Sequence, residues 1–171
     1  YPVVPASGLR PMGDFFWHIP RASRWTWHGH VWAALGGATS LDRPHRTPRH
    51  SWWPQEAITA GERQALEAGG TVDVLLTHDC PSVVHIPGIV HRDPLPSRVW
   101  PQAELEIAWE HRDRMADTVT VVQPGCILHG HFHVFHDQTV TLPDTPGGAP
   151  GRACRIVGLA DDSSRTGNRV L

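Results

Sequence analysis

Two short apolar runs in this chain stop abruptly at histidine. Val72 to Thr77 ends at His78-Asp79-Cys80-Pro81, and Cys126 to Leu128 runs straight into His129-Gly130-His131-Phe132-His133. A run of this kind is too short for a helix and marks a buried strand covered on both faces. Strands of that type need a sheet with crossover connections, so they restrict the chain to a layered α/β architecture. Sites in α/β folds gather at the carboxyl ends of such strands. Two histidine-bearing strand ends in one sheet are therefore the natural place for a shared site.

The remaining pattern agrees with that frame. Phe15 to Ile19, Trp25 to His28 and His30 to Leu35 read as aromatic-rich strands, with His28-Gly29 as a hairpin turn. Residues 36–53 form a long loop, pinned by Trp52-Trp53, with the other tryptophans read as core. Thr59 and Glu62 have capping-box spacing, and Gly69-Gly70 supplies the stop for that helix. After a proline-rich loop over 81–100, Pro101 suits the first turn of a second helix. Its apolar stripe is Leu105, Ala108, Trp109 and Met115. The β-branched run Val119 to Val122 obscures where it ends before Gln123-Pro124-Gly125 breaks the chain. Val134 to Leu142 and Arg152 to Leu159 read as a hairpin around a Pro/Gly turn, with a polar tail from Asp161. The result is a single mixed α/β domain without internal repeats.

Composition excludes several chemistries. The 171 residues carry 15 basic and 17 acidic side chains, a net charge of −2, which argues against nucleic acid as the main partner. No apolar run reaches membrane-spanning length, and with no signal-peptide pattern the expected location is the cytoplasm. Lysine is absent altogether, which removes a P-loop lysine, a Schiff-base lysine and a Ser-Lys dyad. Cys80, Cys126 and Cys154 make neither C-x-x-C nor a disulfide framework, so reduced thiols are expected. The abnormal residue is histidine, present 13 times.

His129, His131 and His133 are spaced by two, so an extended segment would point all three one way. Imidazole is the commonest side-chain ligand for divalent transition metals. Paired with His78 at the other strand end, the cluster makes a metal hypothesis; the alternative is a set of surface histidines. Asp79 either orients an imidazole as acceptor or starts an Asx-turn before Pro81. His45, His50, His85, His91, His111 and His136 have no partner at ligand spacing, and exposure is expected for them.

Thr77-His78-Asp79-Cys80-Pro81 followed by Leu128-His129-Gly130-His131-Phe132-His133 resembles the last two motifs of the calcineurin-like metallophosphoesterase family. Arg24-Trp25-Thr26-Trp27-His28-Gly29, Leu35-Gly36-Gly37-Ala38 and Ser51-Trp52-Trp53-Pro54-Gln55-Glu56 look like a bacterial branch of it. The resemblance implies a four-layer αββα sandwich with mixed sheets and a site for two divalent ions among manganese, iron and zinc. It implies phosphoester hydrolysis by a metal-bridging hydroxide. Carried over, His78 and His131 would bind one ion and His133 the other, while His129, before the glycine, would not be a ligand.

The earlier motifs of that family, D-x-H, G-D-x-x-D and G-N-H-D/E, do not occur here. Gly13-Asp14 and Gly167-Asn168-Arg169 are the nearest approaches, and both fail. The expectation is therefore a partial domain over residues 1–171, its N-terminal part missing, that binds at most one ion. Such a chain would be inactive alone and would leave the strands at 72–77 and 126–128 without sheet neighbours. Two other readings remain open at this stage: a non-enzymatic domain binding a single zinc, and an interaction module presenting its tryptophan-rich strands.

Overall fold

The structure, a computed structural model, describes residues 10–89 and 100–162. The tail beyond Asp162, His91 with half of the second long loop (90–99), and the attempted motif at Gly167 lie outside the described residues. In chain order the strands are β1 (Arg10–Pro11), β2 (Trp17–His18), β3 (Ser23–Trp27), β4 (His30–Leu35), β5 (Val74–Thr77), β6 (Cys126–His129), β7 (His136–Thr141) and β8 (Ala153–Gly158). Helix α1 (Ala60–Glu67) separates β4 from β5, and α2 (Gln102–Val122) separates β5 from β6. Two single 3-10 turns, Arg43–His45 and Pro54–Glu56, lie between β4 and α1.

One mixed sheet of six strands organises the chain, in the order β3-β4-β5-β6-β8-β7. Strands β4, β5, β6 and β8 run parallel, while β3 and β7 close the two edges antiparallel. β5 and β6 therefore sit at the centre with both neighbours supplied by this chain, contrary to the expectation that they lack them. A two-residue turn joins β3 to β4. His28 and Gly29 hold φ of 51° and 79°, the positive pair of a type I′ hairpin, as the dipeptide suggested.

Cross-strand register separates the two faces of the sheet. Ala33, Leu75, Ile127 and Ile156 line up on one face and are fully buried. They pack against Leu66 of α1 and Met115, Val119 and Val122 of α2. Burial of Val119 and Val122 carries α2 through the β-branched run; packing overrides their weak helix propensity. The helix stops at Gln123, whose φ of 45° is a left-handed cap. Pro101 lies just before its first turn. α1 starts at the Thr59–Glu62 capping box, the Thr59 hydroxyl accepting from the Glu62 amide at 3.2 Å.

The opposite face is a correction to the expected double burial. Trp32, Ala34, Val74, Leu76, Cys126 and Leu128 remain half-buried there. Trp25 and Trp32 stack at 6.2 Å, and Trp27, on the same face, meets Trp32 at 5.2 Å but is 43% exposed. An apolar run cannot distinguish a strand covered twice from one covered once. The tryptophans are likewise not mostly core: Trp109 is buried, whereas Trp17 and Trp53 are exposed like Trp27. The Phe15–Ile19 strand shrinks to Trp17–His18, and Phe15 and Phe16 lie exposed.

This asymmetry sets a mutational contrast. Leu75→Ala should cost about 2–5 kcal/mol of unfolding free energy, because it opens a cavity in the packed face. Leu76→Ala, one residue on, should cost about 1 kcal/mol, because less apolar area leaves water on folding. Urea midpoints of the two variants check this; equal losses would mean that the second face is covered in solution.

Candidate functional site

The parallel run of β5 and β6 places the carboxyl ends of both strands side by side at one end of the sheet. The Gly130 amide donates to the His78 carbonyl at 3.2 Å, tying the turn after β6 to the end of β5. Beyond Gly130 the chain turns sharply. The Phe132 amide donates back to the Gly130 carbonyl at 2.8 Å, a γ-turn with His131 at its centre and φ of 69°. His133 follows at φ 58°. Two non-glycine residues in the left-handed region within one turn store strain of about 1–3 kcal/mol each. Backbone in that state does not alternate like a strand, so the three histidines of this stretch do not face one way.

His78, His131 and His133 all line one cavity of about 870 Å³ at this end of the sheet, together with Asp79 and Phe132. The rings of His78 and His131 are edge-on with centres 5.1 Å apart. Two imidazoles sharing one tetrahedral ion at about 2.1 Å place their ring centres about 5 Å apart, so the pair fits a common ion. His78 and His133 are exposed and His131 is half-buried. Burial holds the His131 imidazole below its ordinary pKa against the opposing pull of Asp79, which favours the neutral ring that binds metal. The donor atoms of these three histidines do not converge as one group of three.

Asp79 is the polar pivot beneath the cavity. One carboxylate oxygen accepts from the Cys80 amide at 2.7 Å, and the other meets His111 Nδ1 at 2.7 Å, both side chains being buried. His111 Nε2 accepts the Ile58 amide at 3.2 Å, so Nδ1 carries the proton and donates to Asp79. Of the two roles expected for Asp79, the imidazole-orienting one is present, but the ring is His111 of α2, not His78 or His131. An Asx-turn across Pro81 is not formed, since proline has no amide to donate.

A second histidine set sits behind the first. Cys80, His129 and His136 are buried, with one ligand atom from each within 4.8 Å of the others, a group that could hold one metal ion. Its hydrogen bonds also close without one. His129 Nδ1 donates to the Gly130 carbonyl at 3.0 Å, leaving Nε2 to accept from His136 Nε2 at 2.9 Å. His136 Nδ1 then accepts from Gln138 at 3.1 Å. Burial pushes the Cys80 thiol up to about 12, away from the thiolate a metal requires. An ion here would have to break the His129–His136 bond and deprotonate Cys80.

Sequence spacing missed this set. His111 and His136, expected to be exposed, are buried, whereas His45, His50 and His85 are exposed. The fold makes room for the set at Gly158, where a Cβ would lie 2.5 Å from the His136 ring and 3.0 Å from the His129 ring. The three cysteines are free thiols, as expected. Among the described residues no helix is long and apolar enough to cross a membrane. No protein-family model matches this chain, and no curated protein sequence matches it.

Burial of the second set gives a pH dependence. Burial lowers the His129 pKa from 6.5 to about 4. Between those values the unfolded chain holds a proton that the folded chain does not, so stability falls as pH drops from about 6.5 toward 4. The loss from this residue is about 3 kcal/mol. His131 and His136 shift the same way, also mainly through burial. Urea unfolding at pH 7, 5.5 and 4 should show this slope, and His129→Gln should flatten it.

Proposed function

We propose that the cavity at the carboxyl ends of β5 and β6 is a divalent-metal site for phosphoester hydrolysis. His78 and His131 share one ion and His133 contributes to a second. The observation that carries this is that all three histidines line one cavity, with the His78 and His131 rings 5.1 Å apart. The resemblance of both strand-end motifs to calcineurin-like metallophosphoesterases supports the same reading. So does the half-buried apolar face of the sheet, on which the second sheet of a four-layer sandwich would pack.

Within this reading the chain's own residues hold and orient. His78 and His131 present their imidazoles from two different strand ends, and burial keeps the His131 ring toward its neutral form. Phe132 fixes the turn by packing its ring against both His131 (4.9 Å) and His129 (6.1 Å). Asp79 and His111 lock the segment that carries His78. Divalent ions bound there would supply charge neutralisation at the phosphoryl oxygens and a water of lowered pKa. The three histidines by themselves would hold one ion at most; a manganese, iron or zinc pair would need a bridging carboxylate and further donors beyond these three.

The test is metal stoichiometry with aryl phosphate hydrolysis. The 171-residue chain should bind one ion and hydrolyse poorly. His131→Ala should weaken ion binding at least tenfold, since even a partner outside the ligand shell is worth about 10–100-fold. Cys80→Ser and His28→Ala should leave the ion in place. In any form that supplies those further donors and turns over, His131→Ala and His133→Ala should abolish turnover. A cobalt-loaded chain with a sulfur-to-metal charge-transfer band would instead put the ion on Cys80, His129 and His136 and retire this reading. One tight ion with no hydrolysis in any longer form would favour a non-enzymatic zinc domain.

A further inference from the structure

The cavity wall opposite in chemistry to the histidines is a buried arginine. Arg112 of α2 is 4% exposed and lines the cavity beside Phe132. Its Nε donates to the Cys80 carbonyl at 2.9 Å and its Nη2 to the Val84 carbonyl at 3.2 Å. Its guanidinium carbon lies 5.4 Å over the Phe132 ring. Nη1 makes no hydrogen bond among the described residues, and no carboxylate among them pairs with this cation. The other cavity arginines differ. Arg46 is paired with Asp42 at 2.7 Å, and Arg21 with Glu62 at 3.7 Å and the Ala57 carbonyl at 3.0 Å. Burying a cation without a counter-ion is unfavourable, and two carbonyls with one aromatic face offset only part of that penalty.

We infer that Arg112 is the anion-receiving residue of this cavity, taking a phosphoryl oxygen on its free Nη1. A guanidinium has five N–H donors in a planar fork, and the two in use tie it to the 80–84 segment, leaving Nη1 for a ligand. The ligand class is a tetrahedral oxyanion, phosphate or the phosphoryl group of a monoester. Phe132 links the two halves of the cavity, since its ring meets both Arg112 and His131. An anion held on Arg112 is thereby set against the histidine side. The identification of the anion as phosphoryl rests on the hydrolase reading above; the receiving role of Arg112 does not.

The test is binding of inorganic phosphate to the chelator-treated chain, measured by calorimetry with metal absent. Arg112→Gln should weaken phosphate about tenfold or more, the worth of one charge-assisted hydrogen bond. Arg112→Lys, which keeps the charge but not the fork, should fall between. Because Arg112 also anchors the 80–84 backbone, a second measurement uses the unaltered chain. Phosphate titration should move the NMR signals of the Arg112 guanidinium and the Phe132 amide. Unchanged affinity in Arg112→Gln, no saturable phosphate binding by the unaltered chain, or shifts confined elsewhere would each overturn the inference. Phosphate binding that depends on Arg112 without any hydrolysis would uphold it while the hydrolase reading falls. Hydrolysis with a phosphate affinity indifferent to Arg112 would do the reverse.

Discussion

The buried hydrogen bond between Asp79 and His111 holds the site end of the sheet together. It joins the residue after His78 to the middle of α2, and through His111 Nε2 to the backbone at Ile58. Three separate segments thus meet at one polar contact under an otherwise apolar layer. Every ring nitrogen of His111 and both Asp79 oxygens are satisfied, so the pair carries no orphan charge-bearing atom into the interior. Removing either partner would leave the other desolvated and unpaired, which costs more than the bond itself contributes. Arg112, one residue along α2, extends the same clamp to the carbonyls of Cys80 and Val84.

With the end of β5 fixed, the turn after β6 can be held in a conformation that it would not adopt alone. The Gly130–His78 backbone bond and the packing of Phe132 against the core oppose the strain at His131 and His133. The strain has a geometric effect. Residues at i, i+2 and i+4 of a strand share a face. Here the left-handed turn breaks that alternation after His129. His129 stays with His136 in the interior, while His131 and His133 swing out to the cavity.

How far the sequence could be read depended on whether a signal was local. The Thr59–Glu62 cap and the His28-Gly29 turn are set by neighbours in sequence, and both form where the spacing puts them. The strand ends at His78 and His129 were legible because apolar runs stop there. The roles of His111 and His136 were not, because each is defined by a partner from a different element. His111 falls on the buried side of α2 with Leu105 and Met115, a position that the helical period contains but that single-residue polarity hides. The half-burial of Val74, Leu76 and Leu128 was illegible for a related reason: apolar composition reports the need for cover, not whether a given stretch of chain supplies it.

The two histidine sets differ in what their surroundings allow, and that difference ranks them as metal sites. His129 and His136 bond to each other and, through Gly130 and Gln138, use all four ring nitrogens. An ion entering there gains two imidazoles and a thiol only after losing that network, with a thiol held near a pKa of 12. His78 and His131 touch edge-on across open cavity, and their ring nitrogens are not consumed by one another. The cost of assembling a coordination shell is lower where no prior hydrogen bonds must break and no buried thiol must lose its proton. On that count an ion would cost less to seat at the strand ends than in the buried set, whose own hydrogen bonds already close it as a support beneath the cavity.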